Sequence, residues 1–452
     1  MNYIDAINTL KKIEAKYNIM SIKYKGICVW PYLRCYIVDQ LGYKKAQAPS
    51  ASNALFILKS LFSYNPLVIR GKFDVWSYSG VITRKKIGSM YHHHAAGVLP
   101  YITDSILKLE NPERTRPHYK KTEIPEKNII SNSWSIFLSR GLEFLLRYKS
   151  INIENSEILD KINEECGLSF DYKFRVRLLY AQKIATDILL WVGKKPKVVV
   201  MECPYDQMGY VWSFHCHDIP VVELQHGVIN GNHYAYNFAL HGGILAPDAL
   251  CLYGDEEYNF ISNRRIKFCP VVKKTGLFIL DEADRCFVDD IFEEDRKIYS
   301  KVVVVAGQTG LEERLLSFIE ETSKLTLDIL YVYIPRRESD ISTMRSNIRI
   351  VYNVNIYEYL KWCDVHCTVS STTCLESQYF NKPNIFVELN DTARIYYGHV
   401  LNEINGSFFV GTPSECADKI RYCIDNSRFE FRNLFEKGSV ELVKDVIGKY
   451  IK

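Results

Sequence analysis

Val302-Val303-Val304-Val305-Ala306-Gly307-Gln308-Thr309-Gly310 decides the fold. Four consecutive valines, β-branched and apolar, have the composition of a strand covered on both faces, as in a parallel sheet. The glycine-bounded turn after them leads into a helical pattern over 311–323. Downstream the alternation continues. Ile329–Ile334, Ile348–Val351 and Asp364–Val369 read as strands, 356–362 and the segment up to Phe380 as helices. Asn384–Val387 is the last clear strand, and helical stretches near 414–426 and 438–451 finish the chain. Strands alternating with helices predict a doubly wound α/β domain.

Upstream the same texture recurs. Phe73–Tyr78, Val198–Met201, Ile219–Leu224 and Ala249–Tyr253 read as buried strands. Residues 101–150, with Pro112, Pro117 and Pro125 and many charges, read as irregular, and 156–193 as one long helical pattern. Residues 1–72 look helical, with Ile4, Ile7, Leu10, Ile13 and Tyr17 on one face and an interruption at Trp30-Pro31-Tyr32. The organisation expected is therefore two Rossmann-like doubly wound domains facing a cleft. It comprises a helical extension over 1–72, a first domain over 73–275 and a linker over 276–300. A second domain over 301–430 and a C-terminal helix over 431–452 complete it.

Composition bounds the function classes. The chain has 452 residues, 47% hydrophobic and 24% charged, values of an ordinary globular protein. No stretch approaches the roughly 20 consecutive apolar residues of a membrane span. The N-terminus lacks a basic start leading into an apolar core, so no secretory signal is expected. The 13 cysteines follow no framework spacing and read as reduced thiols of a cytoplasmic protein. Residues 1–150 hold 23 basic and 10 acidic side chains, while the rest is slightly acidic. A basic front suits an anionic surface such as the inner membrane face, and the apolar run Leu55–Phe62 suits a membrane interface or a short buried helix. No aromatic-basic motif points to nucleic acid.

In doubly wound sheets ligands bind outside the carboxyl ends of the strands, so the chemistry is sought there. Ser370, Ser371, Thr372 and Thr373 stand where a buried strand gives way to a helix. Free backbone N–H groups, the positive end of the helix and hydroxyls make an anion site there, although one hydroxyl suffices for an ordinary N-cap. Gly307, Gln308, Thr309 and Gly310 hold the equivalent place after the first strand of the domain, without a Walker A or GxGxxG spacing. Arg336 and Arg337 follow another strand and suit a diphosphate or carboxylate. In the first domain His226, between Gln225 and Gly227, leaves a strand end as a candidate general base, with Glu202 and Asp206 as carboxylate alternatives. His92-His93-His94 point in different directions and no paired CxxC exists, so no metal site is expected.

The order of these motifs resembles GT-B glycosyltransferases that build bacterial capsule, lipopolysaccharide or teichoic-acid-like polymers. The likeness rests on Leu224–Gly227, Tyr253-Gly254-Asp255, Lys274-Thr275-Gly276 with Asp281, the Gly307–Gly310 turn and Ser370–Thr373 with Glu376. The segment from Ser77-Tyr78-Ser79-Gly80 to Asp104 is similar to the first strand-loop of such enzymes. The resemblance implies a C-terminal domain binding the nucleotide-sugar donor and an N-terminal domain binding the acceptor. Gln225, Gly227, Ser79 and Gly80 would then lie on the acceptor side. The hydroxyl cluster is similar to the phosphate-binding element of sialyl- and Kdo-transferases, whose His-Pro pair is here Ile334-Pro335. The Glu-x7-Glu of many retaining enzymes is absent, Asn384 standing eight residues after Glu376. The resemblance implies transfer of a CMP- or UDP-linked sugar to a glycan or lipid-linked acceptor, without a metal or cofactor. A polyol-phosphate transferase, a nucleotide-sugar 2-epimerase and a non-catalytic polysaccharide assembly protein are the alternatives.

Overall fold

The computed structural model describes residues 3–42, 51–113, 118–238, 244–263, 269–336, 341–389, 392–426 and 428–451. Its frame is two all-parallel sheets. The first has seven strands, β1 (Val75–Gly80), β2 (Ile106–Asn111), β3 (Ile129–Ser131), β4 (Val198–Met201), β5 (Val221–Leu224), β6 (Ala249–Leu252) and β7 (Val271–Lys274). The second has six, β8 (Lys301–Ala306), β9 (Ile329–Ile334), β10 (Ile348–Ile350), β11 (Val365–Thr368), β12 (Asn384–Val387) and β13 (Ser407–Val410). The spatial orders are β7-β6-β5-β4-β1-β2-β3 and β10-β9-β8-β11-β12-β13. Each domain thus starts in mid-sheet, builds to one side, then reverses. The reversals lie between β1 and β4 and between β8 and β11, the crevices where such sheets take ligands.

The valines of β8 are wholly buried, as a strand covered on both faces requires. The stretch 101–150, expected to be irregular, instead contains β2, β3 and the helix Ser133–Leu146. Lys108 and Glu110 inside β2 disguised a buried strand. The pattern over 156–193 is two helices, Glu157–Cys166 and Tyr172–Val192, because Gly167 adopts a left-handed φ of 60° and ends the first. Trp30 opens a helix (Trp30–Gly42) rather than interrupting one, Pro31 standing in its first turn where no N–H is needed. β7 and β13 are further strands beyond those expected.

The N-terminal helices Tyr3–Lys16 and Trp30–Gly42 share a core with the first domain through Phe170, Leu179 and Trp212. Arg34 is buried there, donating to Glu14 (2.7 Å) and Asn237 (2.9 Å). The last helix, Ser439–Ile451, returns to the first domain. Its Ser439 N–H donates to Asp281 (2.7 Å), and the Ile451 carbonyl accepts from Lys197 (2.5 Å). The crossing chain 434–436 lies directly on Gly254 and Gly276. A Cβ at Gly276 would stand 1.9 Å from the Glu436 carbonyl oxygen, so no other residue fits beneath that crossing. Among the described residues no helix is long and apolar enough to cross a membrane.

Candidate functional site

The first rim lies at the carboxyl ends of β1, β2 and β4. After β1 a short turn presents Thr83, whose hydroxyl sits 2.9 Å from His93 Nδ1 and 3.0 Å from Glu202 Oε2. Glu202 leaves β4 and is buried. Its other oxygen accepts the N–H groups of Ala96 (2.9 Å) and Ala95 (3.3 Å). Burial opposes its charge. His93, Lys108, the Ala96 amide and the Thr83 hydroxyl overcome that and hold its pKa at about 2. It is a fixed anion that anchors the loop entering Ala96–Tyr101.

Behind it lies an ionic network that the sequence analysis missed. Lys108 is buried, donates to Ser79 (2.6 Å) and Ser77 (3.1 Å), and is lowered by burial to about 8. Ser79, expected on the acceptor side, is thus occupied by Lys108. Arg84 donates to Glu110 (2.5 Å), Glu126 (3.0 Å) and the Tyr91 carbonyl (2.7 Å). His118 bridges Glu110 (2.7 Å) and Ser131 (3.0 Å). Burial disfavours the Glu110 charge, yet His118, His93 and Arg84 hold its carboxyl well below the usual range. One signal was available. Lys108 and Glu110 alternate with Leu107 and Leu109, and pair across to Ser77 and Ser79 of β1, so one sheet face is polar inside.

The three adjacent histidines diverge. His92 faces Phe278 at 5.9 Å between ring centres, His93 turns into the network, and His94 reaches the second domain. His226 follows β5, with its Nε2 3.1 Å from the Tyr205 hydroxyl and its Nδ1 buried without a partner. Burial lowers its pKa, against the pull of Glu202 and Asp206, so the imidazole is neutral near pH 7. Asp206 reaches solvent but is hemmed in by protein. This desolvation raises its pKa despite a contact with the Cys203 thiol (3.2 Å). Gln225 is committed to the fold, donating to the Gly227 carbonyl (2.8 Å) and accepting from Tyr253 N–H (2.7 Å). Gly227 itself has open space where a side chain would stand, and the Gly80 carbonyl accepts from Thr83 (2.9 Å).

The second rim splits the four hydroxyls. Thr373 points inward to His366 Nε2 (3.0 Å), and buried Ser371 accepts from the Thr373 N–H (3.4 Å). Thr372 is exposed and Ser370 half-buried, 3.5 Å from Gln308 of the neighbouring turn. The β8 and β11 loops therefore meet at the crevice. Thr309 and Gly310 are exposed, and Gly310 has φ 81°. Gly307 serves a neighbour: a Cβ there would lie 2.3 Å from the Glu312 carboxylate. Glu312 accepts from the Tyr333 hydroxyl (2.7 Å) and the Arg336 N–H (3.0 Å). The Arg336 side chain is exposed, and Arg337 lies outside the described residues.

The two rims face each other. His94 Nε2 of the first domain lies 3.1 Å from the Tyr357 hydroxyl and 3.8 Å from Glu376 of the second. A cavity of about 550 Å³ is lined by Val228–Gly231, Glu257 and Phe260 from the first domain and Leu375, Tyr396 and His399 from the second; His94, Glu376, His226, the Gln308–Gly310 turn and the Ser370–Thr373 hydroxyls are not in its lining. Burial raises Glu257 to about 7. Among the described residues no group of three or more His, Cys, Asp or Glu side chains is arranged to hold a metal ion.

No protein-family model matches the sequence, and no curated protein matches it. Solved structures do. A protein assigned as a UDP-N-acetylglucosamine 2-epimerase from Listeria monocytogenes is 10% identical, covers 84% of this chain and 97% of its own, and superposes with a TM-score of 0.51. S. aureus MnaA, solved with UDP, is 12% identical with coverages of 83% and 96% and a TM-score of 0.50. The glycotransferase of kitacinnamycin is 10% identical with coverages of 84% and 99% and a TM-score of 0.49. At these identities the likeness establishes the fold: two Rossmann-like domains in the GT-B arrangement.

Proposed function

We propose that this protein binds a nucleotide-activated sugar between its two domains and transfers the sugar to a hydroxyl of a glycan or lipid-linked acceptor. The observation carrying this reading is the apposition of the two switch-point rims at His94 and Glu376, the crevice where such sheets take ligands. Ser370, Thr372 and the backbone N–H groups of the Gln308–Gly310 turn would receive the phosphates. Fixed donors aimed at a departing phosphate stabilise its charge in the transition state, and removing one such donor costs roughly 10²–10³ in rate. The neutral His226 imidazole would take the acceptor proton as the acceptor oxygen bonds the anomeric carbon. The bond from that carbon to the phosphate oxygen breaks, and the nucleotide leaves with the electron pair. Asp206 is the alternative base. Glu202, ionised and fully engaged, would position the loop before Ala96.

A second reading is 2-epimerisation of a nucleotide sugar, which needs no acceptor. It draws support from the Listeria protein of the same fold. One experiment separates the two. Thermal shift against CMP, UDP, GDP and CDP selects the nucleotide, a ligand at 100 times its Kd adding about 2.7 kcal/mol. The matching sugar nucleotide is then incubated with and without lipid-linked acceptor, following free nucleotide and the sugar proton spectrum. Nucleotide release only with acceptor establishes transfer, and a new epimer without acceptor establishes epimerisation. Phosphate retained in the product identifies polyol-phosphate transfer. Absence of any turnover, with function surviving loss of Thr372 and His226, identifies an assembly protein.

A further inference from the structure

The helix Ser133–Leu146 buries a polar edge, although Leu138 packs against the core. Its buried residues are Ser133, Ser135, Ser139 and Glu143. The opposite stripe, at helical spacing, carries Phe137, Phe144, Leu145 and, just past the end, Tyr148. Leu145 is 63% and Tyr148 79% exposed, and both phenylalanines are about half exposed. A helix on a globular surface shows the reverse pattern. At its first turn Trp134 Nε1 donates to the Leu61 carbonyl (3.2 Å), which brings in the neighbouring helix Ala51–Ser60. Directly after that helix Phe62 stands 82% exposed.

Within the two segments that carry this stripe the exposed charges are of one sign, while the exposed carboxylate of Asp171, at the start of the neighbouring helix, lies near Arg147. Over 51–72 and 133–150 the exposed charged side chains are Lys59, Arg70, Lys72, Arg140, Arg147 and Lys149. The single carboxylate of the second segment, Glu143, is buried and engaged by Arg147 (2.9 Å) and Arg177 (3.2 Å). Other cations of the basic front are spent inside, since Arg34, Arg84 and Lys108 are buried. We propose that this face docks on an anionic lipid bilayer, the Phe137–Tyr148 stripe and Phe62 entering the headgroup region while the surrounding cations meet lipid phosphates. An interfacial helix presents this combination, large apolar side chains flanked by Lys and Arg. A second copy of the chain is disfavoured as the occupant, because it would bring two sets of six cations together.

The test is flotation of the full chain with vesicles of phosphatidylcholine alone and with 30% phosphatidylglycerol. The protein is expected to float with the anionic vesicles at 0.1 M salt and to be released at 0.5 M. F137Q/F144Q/L145Q and, separately, R140E/K149E should each weaken binding at least tenfold, with unchanged circular dichroism and thermal unfolding. M344Q, at a fully exposed site in the second domain, should bind as the parent does. Failure to float with anionic vesicles overturns the proposal. So does a concentration-dependent dimer that F137Q/F144Q/L145Q turns into a monomer, which would assign the face to self-association.

Discussion

His94 and Glu376 come from different Rossmann domains, yet their imidazole nitrogen and carboxylate oxygen stand 3.8 Å apart. Tyr357 supports the same histidine nitrogen at 3.1 Å. The contact joins the segment just after a separate antiparallel hairpin, Arg84–Ile87 with Met90–His93, to the helix that follows β11. A sugar nucleotide bound as proposed between the two rims would meet both groups.

Removing either partner should therefore affect turnover more than folding. H94A and E376Q are each expected to lower the rate about 10²-fold or more, in the range of a lost acid–base or positioning group. The melting temperature should move by only a few degrees. Nucleotide-release assays and thermal unfolding on the same preparations check this.

Gly307 leaves room for Glu312, not for a ligand. In G307A the new methyl would press on the carboxylate that holds the Tyr333 hydroxyl and the Arg336 N–H. The cost should be about 1–3 kcal/mol in urea unfolding. In an E312A background the same substitution should be nearly neutral, and the double-mutant cycle measures the difference.

Adjacent threonines should behave differently. Thr373 bonds His366, whose burial lowers its pKa to about 4 and keeps the ring neutral. T373A should lose about 1 kcal/mol or somewhat more, the usual cost of a broken buried hydrogen bond. T372A, at an exposed hydroxyl, should leave stability unchanged and weaken nucleotide binding. Calorimetry on both variants reads the contrast.

Glu223 in β5 makes stability depend on pH. It is buried, receives the Tyr236 hydroxyl on one oxygen and has no partner on the other. Burial outweighs that bond and raises its pKa to about 8. Between the ordinary carboxyl range and pH 8 the folded chain keeps a proton that the unfolded chain has released. Its contribution is complete below the unfolded pKa and is lost as pH rises through about 8, with a slope of up to about 1.4 kcal/mol per unit. E223Q should flatten the urea-derived stability between pH 5 and 8.

How much of the site was legible follows from chemistry. The Ser370–Thr373 cluster, the Gly307–Gly310 turn and His226 are polar groups directly after apolar strands, which marks the carboxyl edge of a sheet. Arg84, Lys108, Glu110 and Glu126 carried no such mark. In sequence they resemble a charged loop, and only their partners, up to 42 residues away, allow them to be buried. Likewise, nothing in the letters said that Thr373 would turn to His366 while Thr372 stayed open.

The sequence by itself determined that two parallel sheets form, because valine- and isoleucine-rich runs without alternation are stable only when covered on both faces. It also placed glycines 254 and 276, although not the reason for them. Tertiary structure alone decided that the crossing at Leu434–Glu436 needs those glycines, that His94 rather than His92 or His93 reaches across to Glu376, and that a serine face is buried on the helix Ser133–Leu146. Strand burial is a local property of side-chain composition. Which rim meets which depends on how distant segments pack, and that is set by the summed shape and charge of surfaces that no short stretch of chain contains.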